Sequence, residues 1–92
     1  MKDKVLLSVF LPATRESYEF RAPYDMTVET ACKLMSKMLA TKEPARYEAT
    51  AGADLMLCGD VPGAGEELNP NETFRALVEE GVLVDGSPVA LI

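Results

Sequence analysis

The chain has 92 residues, of which 48% are hydrophobic and 26% charged, and its formal net charge is −6. This length suits one domain, so we expect residues 1–92 to fold as a single unit, and the composition is typical of a folded protein. Histidine is absent, there are two cysteines and acidic residues are in excess. These features argue against imidazole catalysis, a four-cysteine metal site and nucleic-acid binding.

Two patterns in the sequence, the short apolar runs and the composition of the first residues, suggest where the protein is located. Apolar runs are short, so we expect no membrane-spanning segment. The first residues lack both the continuous apolar stretch and the small-residue cleavage site of a secretory signal. We therefore expect a cytoplasmic protein whose two thiols stay reduced.

Charge is divided unevenly along the chain. Residues 1–46 contain eight basic and six acidic residues, whereas residues 47–92 contain Arg75 as their one basic residue and nine acidic ones. Charge runs usually mark a solvated face, so this division predicts a molecule with two differently charged sides.

The first two elements are predicted to form a β-hairpin. Val5 to Leu11 alternates in polarity, as does Ser17 to Pro23, and the intervening residues 12–15 begin with a proline, which cannot donate to a ladder. Strand parity assigns an inward-facing set to the hairpin: Val5, Leu7, Val9, Leu11, Tyr18, Phe20 and Ala22.

A helix is predicted to begin after Thr27, a good N-cap residue, and to end around Ala40 to Lys42, before Pro44. Apolar residues recur at helical spacing and form the expected core face: Val28, Ala31, Cys32, Met35, Met38 and Leu39. Ser36 is expected on the opposite, solvated side.

The second half of the chain contains shorter elements. Asp54 to Cys58 is typical of a third strand, and the loop over residues 59–70 has room for a short extended stretch at Glu66–Leu68. Thr73, or alternatively Asn71, is expected to cap a short helix that ends before Gly81. A turn at Asp85-Gly86 then precedes a last strand over residues 87–92, while residues 46–53 favour no particular structure.

This order of elements resembles the β-grasp, or ubiquitin-like, fold. The run from Thr73 through Gly81 to Leu91 is similar to the tail of many ubiquitin-like domains. The resemblance implies an α+β fold in which a mixed four- to five-stranded sheet packs on one main helix, with a short C-terminal helical turn. It also implies that the first, last and third strands are neighbours. Within the superfamily, the chain most resembles the bacterial YukD/EsaB group of type VII secretion accessory proteins.

No residue is assigned a catalytic, cofactor-binding or metal-binding role. Cys32 is expected in the core, Cys58 has no basic neighbour in sequence to activate it, and opposite sheet faces argue against a disulfide between them. The glycine-rich run over residues 59–65 lacks the lysine of a phosphate-binding loop. The last strand ends without the Gly-Gly tail that ubiquitin-like conjugated modifiers and sulfur carriers use.

The sequence instead indicates a binding surface on the sheet face opposite the helix. Parity assigns one apolar set to that face: Leu6, Phe10, Met56, Cys58, Ala90 and Ile92. A contiguous exposed apolar patch usually marks a protein interface. The chain is therefore interpreted as a non-enzymatic domain that works by non-covalent protein binding. The resemblance to the YukD/EsaB group implies secretion-system components as its partners. Three alternatives stay open: a sulfur carrier or modifier, a subunit that homo-oligomerises through this face, and a face covered by a loop.

Overall fold

The computed structural model describes residues 3–49, 52–59 and 63–92. Asp60 to Pro62, in the middle of the glycine-rich run, lie outside the described residues. The elements in chain order are β1 (Lys4–Leu11), β2 (Glu16–Pro23), α1 (Val28–Lys42), β3 (Leu55–Leu57), α2 (Phe74–Glu79) and β4 (Ser87–Leu91).

The four strands form one mixed sheet in the order β2-β1-β4-β3. β1 is antiparallel to β2 and parallel to β4, and β4 is antiparallel to β3. The stretch expected at Glu66–Leu68 contributes an isolated bridge between Glu67 and Met56. The predicted ubiquitin-like α+β fold is confirmed, including the neighbouring first, last and third strands.

The β1–β2 turn follows the predicted boundaries. The backbone N–H groups of Thr14 and Arg15 both donate to the Leu11 carbonyl, at 3.2 and 2.9 Å. Arg15 has a φ of 57°, a left-handed conformation that lets the chain reverse within four residues. Burial along β1 then alternates strictly, and its odd-numbered side chains enter the core.

Helix α1 covers the core face of the sheet. The Thr27 side chain accepts from the Thr30 N–H at 3.3 Å, which confirms the predicted N-cap, and the Glu43 N–H donates to the Leu39 carbonyl at the other end. Five of the six predicted core residues of this helix are buried against the sheet: Val28, Ala31, Cys32, Met35 and Leu39.

Two expectations for α1 are wrong. Met38 is 52% exposed, because it overhangs the edge strand β2, beyond which no further strand of the described chain covers it. Ser36, expected in solvent, is buried and its Oγ lies 2.8 Å from the Tyr47 hydroxyl. The segment after the helix folds back and covers a helix side that would otherwise be solvated.

The short C-terminal helix closes the core from one end. The Thr73 side chain accepts from the Ala76 N–H at 3.2 Å, and Phe74 is fully buried. Gly81 has a φ of +77° just beyond the helix, the conformation that favours glycine there. The predicted Thr73 cap and Gly81 terminus are both confirmed.

The Ser36–Tyr47 contact should contribute measurably to stability. We expect Tyr47→Phe to lower the free energy of unfolding by about 1 kcal/mol, since a part-buried hydroxyl pair is lost. Urea denaturation measures this change. Tyr24→Phe is the matched control, because within the described residues no hydrogen bond is seen at the Tyr24 hydroxyl, and its effect should stay within about 0.5 kcal/mol. Equal effects of the two substitutions would contradict the role given to Tyr47.

Candidate functional site

The outer sheet face is defined as Leu6, Phe10, Met56, Cys58, Ala90 and Ile92, the residues predicted for the side opposite α1. Register brings three of them into one row across three strands: Phe10 of β1 lies beside Ala90 of β4, which lies beside Met56 of β3. Neighbours in such a row have Cβ atoms about 5 Å apart, so their side chains contact one another. Sequence parity therefore places this row correctly.

Exposure varies across the outer sheet face. Phe10 is 37% exposed and Ile92 46%, while Leu6, Met56 and Cys58 are half-buried. Ala90 is 3% exposed, so the expectation that it lies open to solvent is wrong. Its methyl group is short and sits between the longer Phe10 and Met56 side chains, and it forms the floor of a shallow apolar strip.

Ile92 extends this strip beyond the end of β4. Its N–H donates to the Asp54 carbonyl and its carbonyl accepts from the Asp54 N–H, both at 2.9 Å. At the other end of β3, the Cys58 N–H donates to the carbonyl of Pro88 in β4 at 3.0 Å. These bonds continue the β3–β4 ladder beyond both ends of β3.

Polar residues border the strip on both sides. On β2, Arg21 lies opposite Leu6 in the antiparallel register. Beyond β3, Glu67 is bridged to Met56. At the Leu6 end of the strip, the Asp85 side chain accepts a hydrogen bond from the Leu6 N–H at 3.0 Å. An apolar centre with a polar rim is the usual anatomy of a protein–protein contact.

The two cysteines are free thiols with different surroundings. Burial, and to a lesser extent the nearby Asp54 charge, raises the pKa of the Cys32 thiol to about 11, and a hydrogen bond with the Leu55 backbone opposes part of this rise. Cys58 is half-buried and its Sγ lies 3.6 Å from the Met56 carbonyl oxygen. A protonated, enclosed Cys32 is a packing residue and not a nucleophile.

Neither a candidate metal site nor a membrane-spanning helix occurs in residues 3–49, 52–59 and 63–92. In these ranges no three His, Cys, Asp or Glu residues gather in a way that could hold a metal ion. No helix in the same ranges is both long and apolar enough to span a bilayer.

One surface feature was missed by sequence reasoning. A groove of about 120 Å³ lies between β2 and α1, bordered by Tyr18, Phe20 and the exposed Met38. The helical spacing placed Met38 in the core, which concealed the groove. The signal that could have found it is the position of β2 at the edge of the sheet, where a helix has less to pack against.

Charged side chains at the surface form ion pairs, and the pair of Arg75 with Asp25 joins the two halves of the chain. Arg75 Nη2 lies 2.9 Å from Asp25 Oδ1, and its guanidinium also sits over the Tyr24 ring at 5.4 Å. Arg46 reaches Glu43 at 2.8 Å and Glu16 at 3.4 Å. Ion pairs at the surface contribute little stability, so the fold does not depend on them.

Comparison with known proteins identifies the fold. No family model matches the chain, and no curated protein does. Among solved structures, the EccD5 ubiquitin-like domain of Mycobacterium xenopi is 20% identical with a TM-score of 0.67, over 99% of this chain and 94% of that one. The ubiquitin-like domain of the Mycobacterium tuberculosis type VII secretion protein EccD1 is 14% identical with a TM-score of 0.67, over 99% of both chains.

A domain of a mouse protein has the same fold. The C-terminal ubiquitin-like domain of mouse tubulin-specific chaperone e is 17% identical with a TM-score of 0.62, covering 97% of this chain and 84% of that one. The likeness therefore spans essentially all of the chain and establishes a ubiquitin-like fold, which hosts many functions.

The different environments of the two thiols predict selective alkylation. At pH 8 we expect iodoacetamide to modify Cys58 of the folded protein and to leave Cys32 unmodified, since Cys32 is buried and its pKa is raised to about 11. Peptide mass spectrometry reads out the site. In the Cys58→Ser control, labelling of Cys32 should require denaturant. Rapid labelling of Cys32 in the native protein would contradict the assignment.

Proposed function

We propose that this chain acts by non-covalent protein binding through the outer sheet face and carries out no catalysis of its own. The observation that supports this proposal is the apolar row of Phe10, Ala90 and Met56 across three strands. Phe10 and Ile92 are substantially exposed. Adjoining exposed apolar side chains cost solvation free energy, and a bound partner relieves that cost. Phe10 and Met56 would supply most of the contact, since aromatic and methionine side chains are enriched at interfaces.

We further propose that the protein is a cytoplasmic accessory or regulatory component of a type VII-like secretion system, as in the YukD/EsaB group. Two observations support this context. The structural likeness covers 94% and 99% of two EccD ubiquitin-like domains, and the chain closely matches them in size. The partner on the outer sheet face would then be another component of the apparatus.

The proposal predicts that a single acidic substitution on the outer sheet face weakens binding of the partner protein. Phe10→Asp and Met56→Asp should each reduce capture of a cross-linked secretion component at least about tenfold, because an unpaired carboxylate would be buried in the contact. Both positions reach solvent, so the variants should fold. Quantitative mass spectrometry of affinity-purified, cross-linked cell extracts measures the change.

Val84→Asp is the matched control for those variants. Val84 is 64% exposed and precedes β4 outside the outer sheet face, so its substitution introduces the same charge at an apolar surface residue elsewhere. Capture should persist at the wild-type level. Unchanged capture by folded Phe10→Asp would refute the proposed face. Concentration-dependent dimers in light scattering that Phe10→Asp abolishes would support the homo-oligomer alternative instead.

A further inference from the structure

A cavity lies where the loop after α2 meets the loop after β3. Its volume is about 340 Å³, at the lower end of the range of about 300–1,000 Å³ that is usual for ligand-binding pockets. Leu57 of β3 and Pro88 of β4 line it from the sheet, and Val82 and Val84 line it from the loop after α2. None of the residues of the outer sheet face lines this valine pocket, so the two surfaces are separate.

The loop after α2 presents its two valines to solvent. Val84 is 64% exposed, more than any other large apolar side chain of the described residues, and Val82 is 36% exposed. Leu83, which stands between them, has no exposed surface. Because Leu83 is anchored in the core, its two neighbours stay at the surface beside the pocket. Apolar side chains that adjoin at a surface cost solvation free energy, which a bound partner relieves.

This loop is held in place by backbone hydrogen bonds. The N–H groups of Val82 and Leu83 both donate to the Leu77 carbonyl, at 2.9 and 3.2 Å. The Val84 N–H donates to Ser87 Oγ at 2.8 Å, and the Ser87 N–H donates to the Val84 carbonyl at 3.0 Å. A wall that is already ordered loses less conformational entropy when a partner binds, so the pocket is preorganised.

Glu66 is the one charged side chain that lines the pocket within the described part of the chain. The Leu57 N–H donates to the Glu66 carbonyl at 2.9 Å, which fixes Glu66 beside β3. Over the described ranges, no lysine or arginine nitrogen lies within 4.0 Å of its carboxylate. An unpaired carboxylate beside an apolar wall suits a lysine or arginine side chain, which has an aliphatic stem and a charged end.

The charge around the pocket is also acidic. Glu80 and Asp85 stand next in the chain to Gly81 and Val84, which line it. Arg75, the one basic residue in the second half of the chain, is already held in an ion pair at 2.9 Å. This surplus favours a basic occupant. A second copy of the chain has a net charge of −6, so long-range repulsion disfavours it as that occupant.

We propose that the valine pocket binds a basic segment of a partner protein, different from the partner on the outer sheet face. An apolar side chain of the segment would lie against Val82 and Val84. The stem of a neighbouring lysine or arginine would cross the pocket, and its charged end would pair with Glu66. The proposal does not rest on the proposed function, because the pocket shares no residue with the outer sheet face.

A blocked six-residue peptide that alternates leucine with arginine, titrated into the full chain with ¹³C-labelled valine methyl groups, tests the proposal. We expect saturable shifts of the Val82 and Val84 methyl signals in the nuclear magnetic resonance spectrum. Binding should be at least about tenfold weaker when glutamate replaces arginine or when serine replaces leucine. Spermidine, a polyamine that offers charge without a branched apolar side chain, should also bind at least about tenfold more weakly.

Three results of this titration would overturn the proposal. The first is the absence of saturation at millimolar peptide. The second is binding of the glutamate peptide, the serine peptide or spermidine as tight as that of the leucine–arginine peptide. The third is a shift of the same valine signals that grows with protein concentration without peptide, which would assign the pocket to a second copy of the chain.

Two matched pairs of variants separate this pocket from general attraction to an acidic protein. Glu66→Gln should weaken peptide binding at least about threefold, whereas Glu48→Gln, which removes the same charge from an exposed residue outside the pocket, should leave it unchanged. Val84→Lys should bind at least about tenfold more weakly than Val84→Asp, since both remove the valine and only the lysine repels a basic segment. Phe10→Asp should bind like wild type. Equal affinities within either pair would refute the assignment of the pocket.

Discussion

The packing of one helix on one face of a four-stranded sheet is the constraint from which the rest of this molecule follows. Leu7, Val9 and Val89 are fully buried beneath α1, and Phe74 closes the same core from α2. Strand side chains alternate between faces, so a register that buries these residues necessarily turns Leu6, Phe10 and Met56 outward. A slip of one residue would exchange the two sets, and the burial of the odd-numbered side chains of β1 opposes that slip.

The same constraint leaves two different surfaces available for contact. On the outer sheet face the available groups are side chains, because β1, β4 and β3 already use their backbone groups in pairing. At the β2 edge the available groups are backbone N–H and carbonyl groups, and an apolar groove lined in part by Lys42 lies beside them. The two surfaces adjoin across β2 but depend on different chemistry.

Much of this architecture is predictable because it depends on local patterns. Thr27 and Thr73 cap their helices through contacts three residues away, and strand alternation is a property of neighbouring residues. The predictions that failed depend on contacts distant in sequence. Met38 is exposed because β2 is an edge, and Ser36 is buried because Tyr47 returns to it.

On the outer sheet face, too, some features follow from local sequence patterns and others depend on contacts distant in sequence. Parity alone places five residues on the outer sheet face with some exposure, whereas the burial of Ala90 follows from its neighbours on two other strands, Phe10 and Met56. β3 is also shorter than the strand predicted over Asp54 to Cys58: Asp54 bonds to Ile92, just beyond β4, and Cys58 bonds to Pro88 of β4, but neither residue is part of β3. Pairing partners are chosen by the whole sheet, and no local sequence pattern specifies them.

The proposed binding role depends most directly on the openness of the outer sheet face. Paramagnetic relaxation of methyl groups by a soluble gadolinium chelate measures that openness in solution. The structure predicts strong relaxation enhancement for the Met56 and Ile92 methyl groups and weak enhancement for Leu7 and Val89, with Ala90 close to the buried pair. Met56 and Ile92 protected to the same degree as Leu7 would show that the face is covered and would contradict the account.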